Sequence, residues 1–153
     1  MSFEKAKEHL KKYKLDKNIK VFDESSATVS AAAIAVGCSE REICKTLSFL
    51  IDNEAILILV AGDSRIDNHK FKDKFKTKAK MISFEDVEKY IGHAPGGVCP
   101  FGINDGVKVY LDISLKQMDV VYPACGSGNS AVKLTIKELE ESSNYLEWVD
   151  VCK

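Results

Sequence analysis

Residues 55–61 read Ala-Ile-Leu-Ile-Leu-Val-Ala, apolar without a break. Side chains alternate between the two faces of a strand, so a run that is apolar at every position is buried on both faces. The run is strand length and far short of the roughly 20 residues that span a bilayer. Residues 46–51 before it alternate in part and are rich in β-formers, and Asp52-Asn53-Glu54 between them is a turn sequence. These residues specify a β-hairpin with a buried second strand, and the rest of the chain must fold around it.

The pattern on either side alternates short helices with short strands. Phe3, Ala6, Leu10 and Tyr13 recur at helical spacing, which predicts an amphipathic helix over 3–13 with its lysines toward water. Residues 19–22 read as a strand. Ser25, Ser26 and Thr28 offer capping hydroxyls ahead of a small-residue helix over 29–36 that ends on Gly37. Ser39 and Glu42 have capping-box spacing for a single turn ending near Cys44. A helix over 67–76 turns Phe71 and Phe75 inward. A brief strand at 81–82 precedes a helix capped by Ser83, running to Tyr90 and stopped by Gly92. Residues 93–106 are too rich in glycine and proline for regular structure. Strands follow at 107–111, 120–122 and 131–134, then a helix capped by Thr135 and Glu138 and a last extended segment at 145–151. The interleaving is too irregular for a doubly wound fold and the connections are short, so the expectation is a mixed α/β fold, its mixed sheet mostly antiparallel. At 153 residues and 45% hydrophobic content, with no repeat or linker, one domain over 1–153 is expected.

Several functional classes are disfavoured. Five cysteines form no C-x-x-C pair and are odd in number, so reduced thiols are simpler than a disulfide framework. His9, His69 and His93 form no ligand pattern, and neither a metal nor another cofactor is expected. No span of membrane length occurs and residues 1–16 are charged rather than signal-like, which predicts a soluble cytosolic protein. The net charge of −1 hides lysine-rich stretches at 5–20 and 70–80 and an acidic end.

The stretch Gly92-His93-Ala94-Pro95-Gly96-Gly97-Val98-Cys99-Pro100-Phe101-Gly102 is the most informative. Prolines fix its turns, and missing Cβ atoms let a ligand approach the backbone. Such a loop can aim amide hydrogens at the oxyanion formed when water attacks an ester, though an ordinary rigid loop fits the spacing as well. Gly126-Ser127-Gly128 reads by itself as a hairpin turn, and Lys45, at the start of a predicted strand, as a surface lysine or a phosphate or carbonyl ligand.

In order, Ile43-Cys44-Lys45-Thr46-Leu47, Ala61-Gly62-Asp63, the 92–102 loop and Gly126-Ser127-Gly128 resemble the YbaK / prolyl-tRNA synthetase insertion-domain family over roughly residues 25–141. The combination is more specific than any of its parts. The resemblance implies a YbaK-like fold, a mixed sheet or partly closed barrel with flanking helices, and metal-free hydrolysis of mischarged aminoacyl-tRNA. Lys45 would orient the terminal adenosine or phosphate. Gly92, Pro95, Gly96 and Gly97 would hold ester and water through backbone groups, and Gly126, Ser127 and Gly128 would line the amino-acid pocket. His93, Val98 and Cys99 are further expected substrate contacts. Mischarged tRNA, tRNA(Pro) carrying Ala or Cys foremost, is the expected partner, prolyl-tRNA synthetase a second one, and a monomer the default state. Ser and Thr remain alternative substrates.

Two other readings stay open. One is a non-catalytic tRNA- or synthetase-binding module of the same fold. The other is a thiol hydrolase with Cys99 as nucleophile and His93 beside it, which needs a depressed thiol pKa. Lys70, Lys72, Lys74 and Lys76 are candidate contacts to acceptor-stem phosphates, with a solvated helix face as the plainer account.

Overall fold

The computed structural model describes residues 2–153. At its centre β2 (Ile43–Ile51) pairs antiparallel with β3 (Glu54–Ala61), without a slip from Cys44 opposite Ala61 to Ile51 opposite Glu54. The turn is the pair Asp52-Asn53, at φ 51° and 66°. Asp and Asn tolerate that left-handed geometry, whose twist matches the flanking strands. β2 begins at Ile43, earlier than the sequence pattern indicates, so Lys45 lies within the strand.

On one side of the hairpin, β4 (Lys108–Asp112) runs parallel to β3, and β8 (Glu147–Val149) parallel to β4. On the other, β5 (Val120–Pro123) runs parallel to β2, and β7 (Leu134–Thr135) antiparallel to β5. The order is β7-β5-β2-β3-β4-β8, and β1 (Ile19–Val21) pairs antiparallel with β6 (Ser130–Val132) in a separate ribbon. The mixed α/β expectation holds, with the sheet curled into a half-barrel. Its parallel share is larger than the short connections indicate, because β3 reaches β4 through a long excursion that includes two helices and the glycine loop. The single strand expected at 131–134 divides in two: β6 serves the ribbon and β7 the main sheet.

β3 is buried on both faces, as its composition requires. Leu57, Leu59 and Ala61 pack with Cys44, Leu111, Val121 and Leu139, while Ile56, Ile58 and Val60 pack with Phe49, Phe71 and Val149. At ~1.5–3 kcal/mol for each large apolar side chain, this strand supplies a large share of the driving force for folding.

Helices close the layers. α1 (Ser2–Lys11) lays fully buried Ala6 and Leu10 on the first cluster. It stops short of Tyr13, since the chain turns through Lys14 at φ 63°. α2 (Val29–Val36) starts where the Thr28 hydroxyl accepts the Ala31 N–H and ends on Gly37 at φ 84°. α3 (Asn68–Phe75) is capped by Asp67, whose carboxylate accepts from His69 and Lys70 N–H. The expected helix from Ser83 shortens to α4 (Val87–Ile91) after a turn closed by Ser83 and Asp86. The expected strand at 81–82 is a single bridge from Met81 to Phe49. α5 (Ile136–Ser142) opens on reciprocal Thr135–Glu138 bonds of 3.1 and 2.9 Å. No helix among the described residues is long and apolar enough to cross a membrane.

Candidate functional site

A cleft opens where β2 and β5 part. Their pairing lasts two positions, Ile43 with Tyr122 and Cys44 with Pro123, after which the chain leaves to bridge Ala124 to Ala131. The same edge of β2 is met again only farther on, where Ser48 O accepts from Ile82 N and Leu50 N donates to Lys80 O. Ladder groups alternate along a strand, so if Ser48 and Leu50 face that edge, the Thr46 N–H and C=O face it too, inside the gap. The gap encloses about 170 Å³. Residues 43–46 line it, as do residues 26–29 with Ala32. Gly96 and Val98 reach in from the glycine loop, and Tyr122, Ala124 and Ser130 complete the rim.

The two glycine-rich segments, far apart in sequence, meet here backbone to backbone. A Cβ on Gly97 would fall 2.5 Å from Ser127 N and 2.6 Å from Gly126 C. Gly96 needs its φ of 91° and would press a Cβ to 3.1 Å from Ala27 Cβ. The Gly97 N–H is committed to Ala94 O at 3.1 Å; among the described residues the Gly96 and Val98 N–H groups have no backbone acceptor. The facing turn is fixed by the Ser127 hydroxyl, 2.6 Å from Ser130 Oγ and 3.0 Å from Asn129 Oδ1, and by Gly128 O, which accepts from Ser26 N at 2.7 Å.

Lys45 borders the cleft and is half-buried. Desolvation holds its ammonium pKa below the ordinary lysine value; Cys152 and Asp63 act the other way, and Arg65 in the same direction as burial. A partly desolvated ammonium is a stronger partner for phosphate or carbonyl oxygen than one in bulk water.

Other residues expected at the site stand behind it. His93 and Cys99 are fully buried and do not line the cleft. His93 Nε2 is 2.6 Å from Phe101 O and 3.5 Å from Cys99 Sγ. Burial pushes the thiol pKa far up and the imidazole pKa down, so the pair favours neutral thiol and neutral imidazole, the opposite of an activated nucleophile. Gly92, at φ 103°, ends α4 against Asn104, and Pro95 is a half-buried turn residue outside the lining. On α3, Lys70 donates to Asp150 at 3.0 Å and Lys74 to Glu147 at 2.6 Å. Lys72 lines a separate depression with Lys78, and Lys76 is the α3 C-cap at φ 64°.

The cleft also contains Ser26, Ala27, Thr28, Thr46, Tyr122 and Ser130, none of them singled out from the sequence as ligand contacts. Ser26 and Thr28 read as helix caps, and Tyr122 as a strand residue; only the parting of β2 and β5 turns them inward.

Solved structures share this fold. One, described as a candidate trans-editing enzyme for prolyl-tRNA synthetase, matches with a TM-score of 0.88 at 28% identity, over 99% of this chain and 97% of that one. The hypothetical protein APE2540 matches with a TM-score of 0.81 at 22% identity, over 95% and 99%, a likeness of fold. The class is therefore that of small editing-type domains. The family model of the aminoacyl-tRNA editing domain matches residues 23–142, and the chain belongs to that family. The uncharacterized protein YwhH of Bacillus subtilis is 46% identical over all of this chain and 98% of its own length. The Bacillus subtilis proline–tRNA ligase is 31% identical over 66% of this chain, a stretch that amounts to 17% of the ligase.

Proposed function

We propose that this protein hydrolyses the ester of mischarged tRNA in trans, with tRNA(Pro) carrying alanine or cysteine as the foremost substrate. The observation that carries the reading is the cleft itself: a small, mostly apolar space bordered by Lys45, with two backbone N–H groups beside it, Gly96 and Val98, that have no backbone acceptor among the described residues. Its volume is close to that of an engineered cavity of about 150 Å³ that accepts benzene, six non-hydrogen atoms. Alanyl and cysteinyl groups have about that many. A carbonyl placed at the loop would find N–H donors for the developing oxyanion, a contribution typically worth ~3 kcal/mol per donor. The ester is already activated, so orienting a water against it suffices for a useful rate. Lys45 would hold the terminal nucleotide; Gly126, Ser127 and Gly128, expected to line the amino-acid pocket, are not among the residues that line the cleft and, backing Gly97, would fix the loop's position. Separate editing follows from energetics, because one methyl or hydroxyl discriminates by only ~1–3 kcal/mol in a pocket.

The test is to incubate the protein with tRNA(Pro) charged with labelled alanine, cysteine, serine, threonine or proline, with and without a chelator. Chelator-resistant loss of one mischarged ester, with the prolyl ester spared, is the expected result. No acceleration over buffer for any species would overturn it in favour of a non-catalytic tRNA- or synthetase-binding module.

A further inference from the structure

We propose that His9 positions the glycine loop by holding the Phe101–Gly102 peptide from one side while His93 holds it from the other, and that protonating His9 releases the loop. The inference rests on the editing reading only for the consequence to the reaction. His9 Nδ1 accepts the Gly102 N–H at 3.0 Å, and its Nε2 lies 2.6 Å from Ser142 O. These partners settle the tautomer: Nδ1 is the acceptor, Nε2–H the donor, and the ring is neutral. The carbonyl of the same peptide, Phe101 O, accepts from His93 Nε2–H at 2.6 Å. One peptide unit is therefore gripped at both polar ends, and α1, α5 and the loop are tied together at it. The His9 ring also meets the Phe101 ring edge-on at 5.5 Å. A Cβ on Gly102 would fall 2.6 Å from the Lys5 backbone, which shows how closely α1 presses on the loop's end.

A protonated His9 has two N–H donors and no acceptor, so it points a proton at the Gly102 N–H and the bond is lost. The titratable groups around it are Glu4, Lys5 and Glu8 of its own helix, Lys12 and Tyr13 of the turn after it and Asp105 of the segment beyond the loop, with His93 across the peptide. Desolvation first, and then Lys12, favour the neutral ring, while the Ser142 contact opposes them. His9 lies outside the residues 23–142 that the family model matches, so this support comes from a part of the chain beyond the shared motifs.

The experiment follows the Gly102 amide resonance of the full chain by NMR from about pH 7.5 to pH 5, beside the His9 ring and the rate of ester hydrolysis. The Gly102 amide is expected to titrate with the His9 midpoint in the wild-type protein and not in His9→Asn, whose Oδ1 stands near the position of Nδ1 and does not titrate. His9→Ala is expected to lower kcat roughly tenfold or more with KM little changed, as loop misplacement does, and His9→Asn to recover most of the rate and lose the acid limb. A Gly102 amide indifferent to His9 protonation, or a His9→Ala protein with wild-type kcat and melting point, would overturn the proposal. Joint titration of the two groups with no hydrolysis by any variant would support the clamp and overturn the editing reading alone.

Discussion

Gly97 and Ser127 approach so closely that a Cβ on the first would stand 2.5 Å from the amide nitrogen of the second. Both flanks of that contact are main chain, so neither can rotate aside. Gly97→Ala is expected to cost ~1–3 kcal/mol by overpacking and to remove most hydrolysis by pushing Gly96 and Val98 away from the ester. Gly106 is the control: it has φ 88°, and a Cβ there would meet nothing within 4 Å. Gly106→Ala bears only the conformational cost of about 1 kcal/mol and keeps its rate. Urea denaturation and single-turnover hydrolysis distinguish the two.

Lys45 is half-buried beside the cleft, and among the described residues removing its ammonium leaves no partner carboxylate stranded at hydrogen-bond distance. Lys45→Ala is expected to lower kcat/KM by about 10²-fold, ~2.7 kcal/mol of transition-state stabilisation, with folding stability changed by less than ~0.5 kcal/mol. Lys45→Arg restores little, because the planar guanidinium does not replace a compact ammonium in a confined place. Unchanged turnover in Lys45→Ala would remove the lysine from the reaction.

Cys99 is where the thiol-hydrolase reading and the editing reading part. The thiol is inaccessible, its pKa is raised by burial, and the nearby imidazole already contacts Phe101 O. Cys99→Ala is therefore expected to retain hydrolysis within a fewfold while losing ~1 kcal/mol of stability through lost packing. Iodoacetamide at neutral pH is expected to leave this cysteine unmodified in the folded protein, as mass spectrometry of its peptide would report.

Much of this architecture is written locally. The hairpin follows from seven apolar residues behind a turn, and α2, α3 and α5 begin at the Thr28, Asp67 and Thr135 caps that their side chains announce. The motif order also points to the glycine loop and Lys45. What stays hidden depends on long-range pairing. The long stretches before β4 and before β8 permit parallel pairing without saying which strand each will join, and the split of residues 130–135 between two sheets depends on where β1 and β5 come to rest. Ser26, Thr28 and Tyr122 become cleft residues only because β5 leaves β2 after Pro123. His93 and Cys99 sit in the motif like ligands, yet their side chains turn into the core, a choice of direction that residue type does not disclose.

The α3 lysines divide by their partners. Lys70 and Lys74 already bond Asp150 and Glu147 on the protein surface, while Lys72 and Lys76 form no ion pair among the described residues. If α3 meets acceptor-stem phosphates, Lys72→Glu combined with Lys76→Glu raises KM for charged tRNA and reduces the slope of its salt dependence by ~1–2. Lys70→Ala has a smaller effect on KM, since its ammonium is already held by Asp150 and Cys152 O and its charge is partly offset there. An unaltered salt slope in the double variant would place the tRNA elsewhere.

His9 and His93 both make stability fall toward acid pH. Burial lowers the pKa of each below the ordinary value of 6.5, so the unfolded chain takes up protons near pH 6.5 while the folded chain resists them. Protons bound preferentially by the unfolded state make stability fall as pH falls, and the stability these histidines contribute is complete above about pH 6.5 and is lost progressively below it. For the buried His93 the slope is at most ~1.4 kcal/mol per pH unit. The half-exposed His9 adds less, being partly screened. Among the described residues His93 Nδ1 is also buried without a partner, so a proton added there gains no acceptor. His93→Gln keeps a side-chain N–H for Phe101 O and does not titrate. Its denaturation midpoint is therefore expected to decline less than that of the wild type between about pH 6.5 and 5, and parallel declines in the two proteins would show that His93 is not the group responsible.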